Sequence, residues 1–88
     1  MTDTVAGGKL RAWRRTHQAL TDGRVVRCST VLHWEGYTIT AFSQPALAHW
    51  LTLAAKAQGR AVSSRTIRRW EAGRCPRWAW HLCEGACE

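Results

Sequence analysis

The stretch Val62-Ser63-Ser64-Arg65-Thr66-Ile67-Arg68-Arg69-Trp70-Glu71-Ala72-Gly73 carries more local structural information than any other part of this chain. Ser63 is placed to cap a helix, because its hydroxyl can accept from a backbone N–H that has no partner inside the helix. Val62 before it and Ile67 four residues inside form the apolar pair that staples the start of a helix. Gly73 stops the helix, and Pro76 lies shortly beyond, where it can open the next one. A helix over Ser64 to Ala72 is therefore expected. At about 100° per residue, Ile67 and Trp70 fall on one side and Arg65, Arg68 and Arg69 on the other. One face packs, and the other points outward.

Toward the N-terminus, Ser43 is a second good cap, and Pro45 sits in a first turn where its missing N–H costs nothing. Leu47, Trp50, Leu51 and Ala54 recur at helical spacing, so a helix is expected from Ser43 to about Gln58, with Gly59 as its stop. Toward the C-terminus, Pro76 to about Cys83 reads as a further helix that buries Trp78 and Leu82. Residues 84–88 read as a frayed tail.

The first half is less well marked. Residues 1–8, with Gly7 and Gly8, read as a flexible segment. Leu10, Trp13, His17 and Leu20 are spaced by three, four and three, which predicts a helix over Lys9 to Leu20 ended by Thr21-Asp22-Gly23. From Arg24 to Phe42 the composition turns to Val, Thr, Ile, Tyr and Trp, with Glu35-Gly36 between two short runs. A β-hairpin over about 24–42 follows, with Trp34 opposite Tyr37, Leu32 opposite Ile39 and Thr30 opposite Ala41. The expected fold class is thus mainly α: a small domain of about four helices over 9–83 with an inserted β-hairpin, its helical core over about 43–73.

At 88 residues with 45% apolar composition and six tryptophans, the chain has material for one compact core. Residues 1–8 have no apolar run of a secretory signal, so a reduced, cytoplasmic setting is expected for Cys28, Cys75, Cys83 and Cys87. The longest apolar stretch, Ala46 to Ala57, is broken by His49 and Lys56 and is too short to cross a bilayer. Cys75, His81, Cys83 and Cys87 lack a Cys-x-x-Cys pair, so no metal is expected, and Cys75 and Cys83 read as small buried thiols. Asp3, Asp22, Glu35, Glu71, Glu84 and Glu88 do not cluster, and no histidine stands beside a nucleophile or an acid. The parts of a hydrolase are missing, so no enzyme activity and no cofactor are expected.

Charge points more positively to a partner. Thirteen basic residues face six carboxylates, for a net charge of +7, and eleven of the thirteen are arginine, the side chain that forks onto phosphates and guanine edges. From Ser43 to Leu82 seven basic residues meet a single acid, Glu71. That balance fits a polyanion. A short capped helix presenting three guanidinium groups has the dimensions and chemistry of a major-groove reader. Trp13, Trp50, Trp70 and Trp78 fall on apolar helix faces and read as core. Trp34, Tyr37 and Trp80 are left as contact residues.

Ser43-Gln44-x-x-Leu47-Ala48, followed by Val62-Ser63-x-Arg65-Thr66-Ile67-x-Arg69-Trp70-Glu71-x-Gly73 and Pro76, resembles the Cro and phage-repressor helix-turn-helix, the XRE family. The resemblance spans about half the chain, Phe42 to Leu82. It implies sequence-specific binding of double-stranded DNA by a phage-type transcriptional regulator, acting as a repressor and as a homodimer. It implies further that Ser64, Arg65 and Arg68 face base edges, that Arg69 serves either bases or phosphates, and that Gln44 touches a phosphate. Lys56, Arg60, Thr66, Arg74 and Arg77 complete the expected phosphate-contacting set. Trp70 and Glu71 match positions that brace the domain. The chain departs from the pattern in two places. Leu51 to Ser63 is longer than the usual tight turn, which leaves either a two-turn helix extension or Leu53-Ala54 in place of the Leu-Ala pair. The hairpin has no counterpart, and a dimer surface, a wing on DNA and core cover all remain open for it. The alternative function is a protein-binding module, such as a phage-encoded inhibitor or adaptor, that uses the hairpin face.

Overall fold

A computed structural model describes residues 3–21, 23–28, 31–34 and 37–86. In chain order these form β1 (Thr4–Ala6), α1 (Gly7–Arg14), β2 (His17–Ala19), β3 (Val25–Arg27), β4 (Val31–Trp34), β5 (Tyr37–Thr40), α2 (Gln44–Ala54), a 3-10 turn (Lys56–Gln58), α3 (Ser64–Ala72), β6 (Arg74–Pro76) and α4 (Arg77–Ala86). Four helices and three two-stranded antiparallel ladders, β1 with β6, β2 with β3 and β4 with β5, make a mainly α domain with hairpins. Among the described residues no helix is long and apolar enough to cross a membrane.

The best-marked helices follow their caps. Ser63 Oγ accepts from Thr66 N at 3.2 Å and Ser43 Oγ from Ala46 N at 3.2 Å. Helix α3 spans Ser64–Ala72, as its cap and stop predict. Helix α2 leaves α geometry at Ala54, and the expected run to Gln58 is completed as a 3-10 turn ended by Gly59 at φ 69°. Gly59 tolerates this left-handed backbone because it has no Cβ.

The first half corrects three expectations. Residues 1–8 were expected to be flexible, yet Thr4–Ala6 pairs with Arg74–Pro76 in the register Val5↔Cys75, and Gly7 already opens α1. Gly7 serves close packing: its N–H donates to Gly73 O at 2.9 Å, and a Cβ there would lie 1.9 Å from Trp70 O. The first helix was expected to reach Leu20 but stops at Arg14. Thr16 Oγ1 turns back onto the carbonyls of Ala12 and Trp13, each at 3.1 Å, and so competes with continued helix. His17 still meets Trp13, with rings stacked at 4.6 Å, so the spacing that suggested helix survives as a contact across the helix end.

Thr21 and Gly23, expected to end a helix, instead lie where a second hairpin, β2–β3, turns back. Leu20 N donates to Arg24 O at 2.7 Å and Gly23 adopts φ 89°. The expected hairpin over 24–42 is therefore divided, because Val25–Arg27 pairs backward with His17–Ala19. The β4–β5 ladder has the anticipated register, Leu32↔Ile39 and Trp34↔Tyr37. The expected Thr30–Ala41 pair falls partly outside the described residues.

The core gathers Leu10, Leu47, Leu51, Ile67, Cys75 and Cys83, all fully buried, between α1, α2, α3, β6 and α4. Trp13 and Phe42, in the same core, stack on each other, and Trp50 packs at a tilt against both, with the three ring centroids 5.8 to 6.0 Å apart. Helix α4 begins after Pro76, and its fully buried residues are Ala79 and Cys83. Trp78 and Leu82, expected as its buried pair, are half-buried against the same core.

Candidate nucleic-acid interface

Helix α3 is anchored by its buried side and free on the other. Ile67 is fully buried, while Arg65, Arg68 and Arg69 are exposed and have no acidic partner among the described residues. Ser64 is half-buried at the helix start, beside Arg65. Thr66 Oγ1 lies 3.0 Å from Ser63 Oγ, so this hydroxyl takes part in the cap. The outward row of α3 is thus a guanidinium surface on a rigid backbone, able to make paired hydrogen bonds to planar acceptors.

Two networks hold that helix. The first joins α3 to α1 and α2. Arg14 Nε donates to Glu71 Oε2 at 2.6 Å and Arg14 Nη2 to Oε1 at 3.0 Å. Arg14 Nη1 donates to the Phe42 carbonyl at 2.9 Å, and Gln44 Nε2 donates to Glu71 Oε1 at 3.3 Å. The pair is largely shielded, with 14% and 6% of the Arg14 and Glu71 side chains exposed. Fork-on-fork geometry in a shielded site fixes the roll of α3 against α1 more tightly than an exposed ion pair can.

The second network manages the long connection between α2 and α3. Thr52 Oγ1 accepts from Val62 N at 2.9 Å, and it lies 2.9 Å from Ala48 O and 3.0 Å from Val62 O, to one of which its single proton is given. One hydroxyl thereby ties the last turn of α2 to the residue just before the α3 cap. Further along the loop, the Arg60 guanidinium lies over the Trp78 ring at 4.4 Å, and Trp78 meets Trp70 edge-on at 5.9 Å.

The residues expected at phosphates are spread more widely. Lys56 is exposed on the 3-10 turn and Arg77 is exposed at the start of α4. Arg60 is held by Trp78 and donates to Gln58 Oε1 at 3.1 Å, and Arg74 donates to Thr4 Oγ1 at 2.7 Å. Gln44 faces Glu71. Sequence reasoning did not single out Gly7, Arg14 or Thr52 for positioning α3. Their partners lie 66, 57 and 10 residues away along the chain, beyond what helical spacing reports.

Among the described residues no group of three or more His, Cys, Asp or Glu is placed to hold a metal ion. Burial pushes the Cys75 thiol from the ordinary 9.0 up to about 11. The Cys83 thiol is pushed up to about 12 by burial, with Cys75 nearby adding to the shift. These are packing thiols kept protonated, unlike the low-pKa thiolates of reactive sites. Comparisons with protein-family models, with curated proteins and with solved structures found no match to this chain.

Proposed function

We propose that this protein binds double-stranded DNA sequence-specifically as a helix-turn-helix regulator of the phage-repressor type, with α3 lying in the major groove. The observation that carries the reading is the two-sided character of α3: Ile67 buried beneath, Arg65, Arg68 and Arg69 exposed above and without acidic partners among the described residues. Ser64 and these arginines read base edges, and Lys56, Arg74 and Arg77 meet the backbone alongside Gln44, Arg60 and Thr66. One such helix spans few base pairs, so two copies are proposed to act on half-sites about one helical turn apart.

Selection from random duplex DNA tests this. The wild type is expected to enrich a short motif, and the triple variant Arg65→Ala, Arg68→Ala, Arg69→Ala to lose it. Arg65→Ala alone is expected to cost about 1 to 3 kcal/mol and to relax one position of the motif. Equal losses on every sequence for Arg65 and Arg77 variants would remove α3 from the groove.

One observation favours a second reading, a protein-binding module. Between the β2–β3 hairpin and α2 a cleft of about 340 Å³ is lined by Leu20, Phe42, Ala46, Trp50 and Leu53, and Leu53 is 58% exposed. Binding there would tolerate salt, whereas DNA binding weakens steeply with it.

A further inference from the structure

Between α1, α2 and α3 lies a second cleft, of about 230 Å³, lined by Arg11, Arg14, Gln44, Arg68, Glu71 and Ala72. Its charges do not cancel. Glu71 is already engaged by two nitrogens of Arg14 and by Gln44, and the remaining Arg14 nitrogen with a hydrogen bond goes to a backbone carbonyl. The acid and one arginine therefore neutralise each other inside the wall. Arg11 and Arg68 are left, one from α1 and one from α3, both exposed and neither with a hydrogen-bond or ion-pair partner among the described residues. Two exposed guanidinium groups lining one cleft give it a net positive charge, and their forked donors suit the oxygens of a phosphate.

We propose that this cleft seats a backbone phosphodiester of the bound duplex, with Arg11 on α1 as the phosphate-binding residue beside Arg68, whose guanidinium stays with the base edges. The proposal rests on the DNA-binding reading and deepens it. Because Arg14 and Glu71 rigidly join α1 to α3, a phosphate held by Arg11 sets how deeply and at what angle α3 enters the groove. Helix α1 then belongs to the interface, although no base is read from it.

The test is a cycle between protein and DNA. Wild type and Arg11→Ala are titrated onto the selected duplex and onto duplexes in which single phosphodiesters are replaced by neutral methylphosphonates. Arg11 is exposed, so the variant should keep the wild-type thermal midpoint. Arg11→Ala is expected to bind all sequences about three- to tenfold more weakly, to enrich the same motif, and to reduce the salt dependence by about one phosphate contact. At one backbone position the methylphosphonate should weaken the wild type by a similar factor and leave Arg11→Ala unaffected. Additive losses at every position would overturn the proposal while leaving the DNA reading intact. Failure of the wild type to bind any duplex would overturn both. Saturation of the cleft by inorganic phosphate at millimolar concentration, with additive losses on DNA, would assign it to a free anion instead.

Discussion

The segment from Ser43 to Gly73 and the segment from Thr4 to Phe42 are built by different rules. In the first, each helix carries its own start and stop: Ser43 and Ser63 cap with their own hydroxyls, and Gly59 turns left-handed. In the second, nearly every element depends on something distant. Strand β1 exists because β6 lies beside it, β2 because the chain returns as β3, and α1 begins at Gly7 because Gly73 and Trp70 leave room only for a hydrogen. A locally specified segment presents a surface of predictable shape, and a remotely specified one can hold that surface at a chosen angle. In this protein the second segment clamps the first.

The sharpest way to break that division is Gly7→Ala. A methyl 1.9 Å from a backbone carbonyl must push α1 off α3, and a loss of about 3 kcal/mol is expected by urea denaturation. Gly8→Ala, which meets nothing within 4 Å, should be neutral or stabilising by a few tenths. If both variants behaved alike, the α1–α3 approach would be looser than described.

Arg14→Ala comes next. It leaves the shielded Glu71 carboxylate with only Gln44, and a cost of about 2 to 3 kcal/mol is expected. In a double-mutant cycle with Glu71→Gln, coupling above about 1 kcal/mol would confirm that the two act as one clamp, and additivity would reduce them to separate contacts.

Thr52→Val tests whether the locally built half also needs a brace. It keeps the shape but strands the Val62 N–H, so a loss of about 1 to 2 kcal/mol and faster hydrogen exchange at Val62 are expected. Unchanged exchange would mean that the α3 cap alone orders the loop.

The last test is with pH, and it reports on the thiols packed where the two halves meet. Below 9.0 the Cys75 and Cys83 thiols are protonated in both folded and unfolded chains. Above it the unfolded chain releases protons that the folded chain keeps, so their contribution to stability falls as pH rises toward about 11 to 12. Urea midpoints measured from pH 8 to 10.5 should decline, and less so in Cys83→Ala. An equal slope in the variant would place the pH dependence elsewhere.

The parts of the fold legible beforehand were those whose signals sit within one helical turn. The Ser63 cap, the Val62–Ile67 pair and the Gly73 stop delimit α3, and the alternation around residues 35–36 gives the β4–β5 register. The apolar spacing of Leu10, Trp13, His17 and Leu20 misled because three-four-three spacing also describes a helix that ends at Arg14 and folds His17 back onto Trp13. Thr21 and Gly23 announced a turn correctly, but turn chemistry does not say which elements it joins. The same division runs through the candidate site. Arg65, Arg68 and Arg69 stand out from the sequence by spacing alone, whereas Arg11 gained meaning only beside Arg68.

By itself the sequence determined the two capped helices, their apolar faces and the excess of arginine, because caps, periodicity and charge act over a few bonds or need no geometry at all. Tertiary structure decided which arginine is spent inside the protein and which is left exposed. Arg11 and Arg14 are three residues apart on one helix, and nothing local distinguishes them. Only the arrival of Glu71, from 57 residues further along, neutralises the one and leaves the other facing an open cleft.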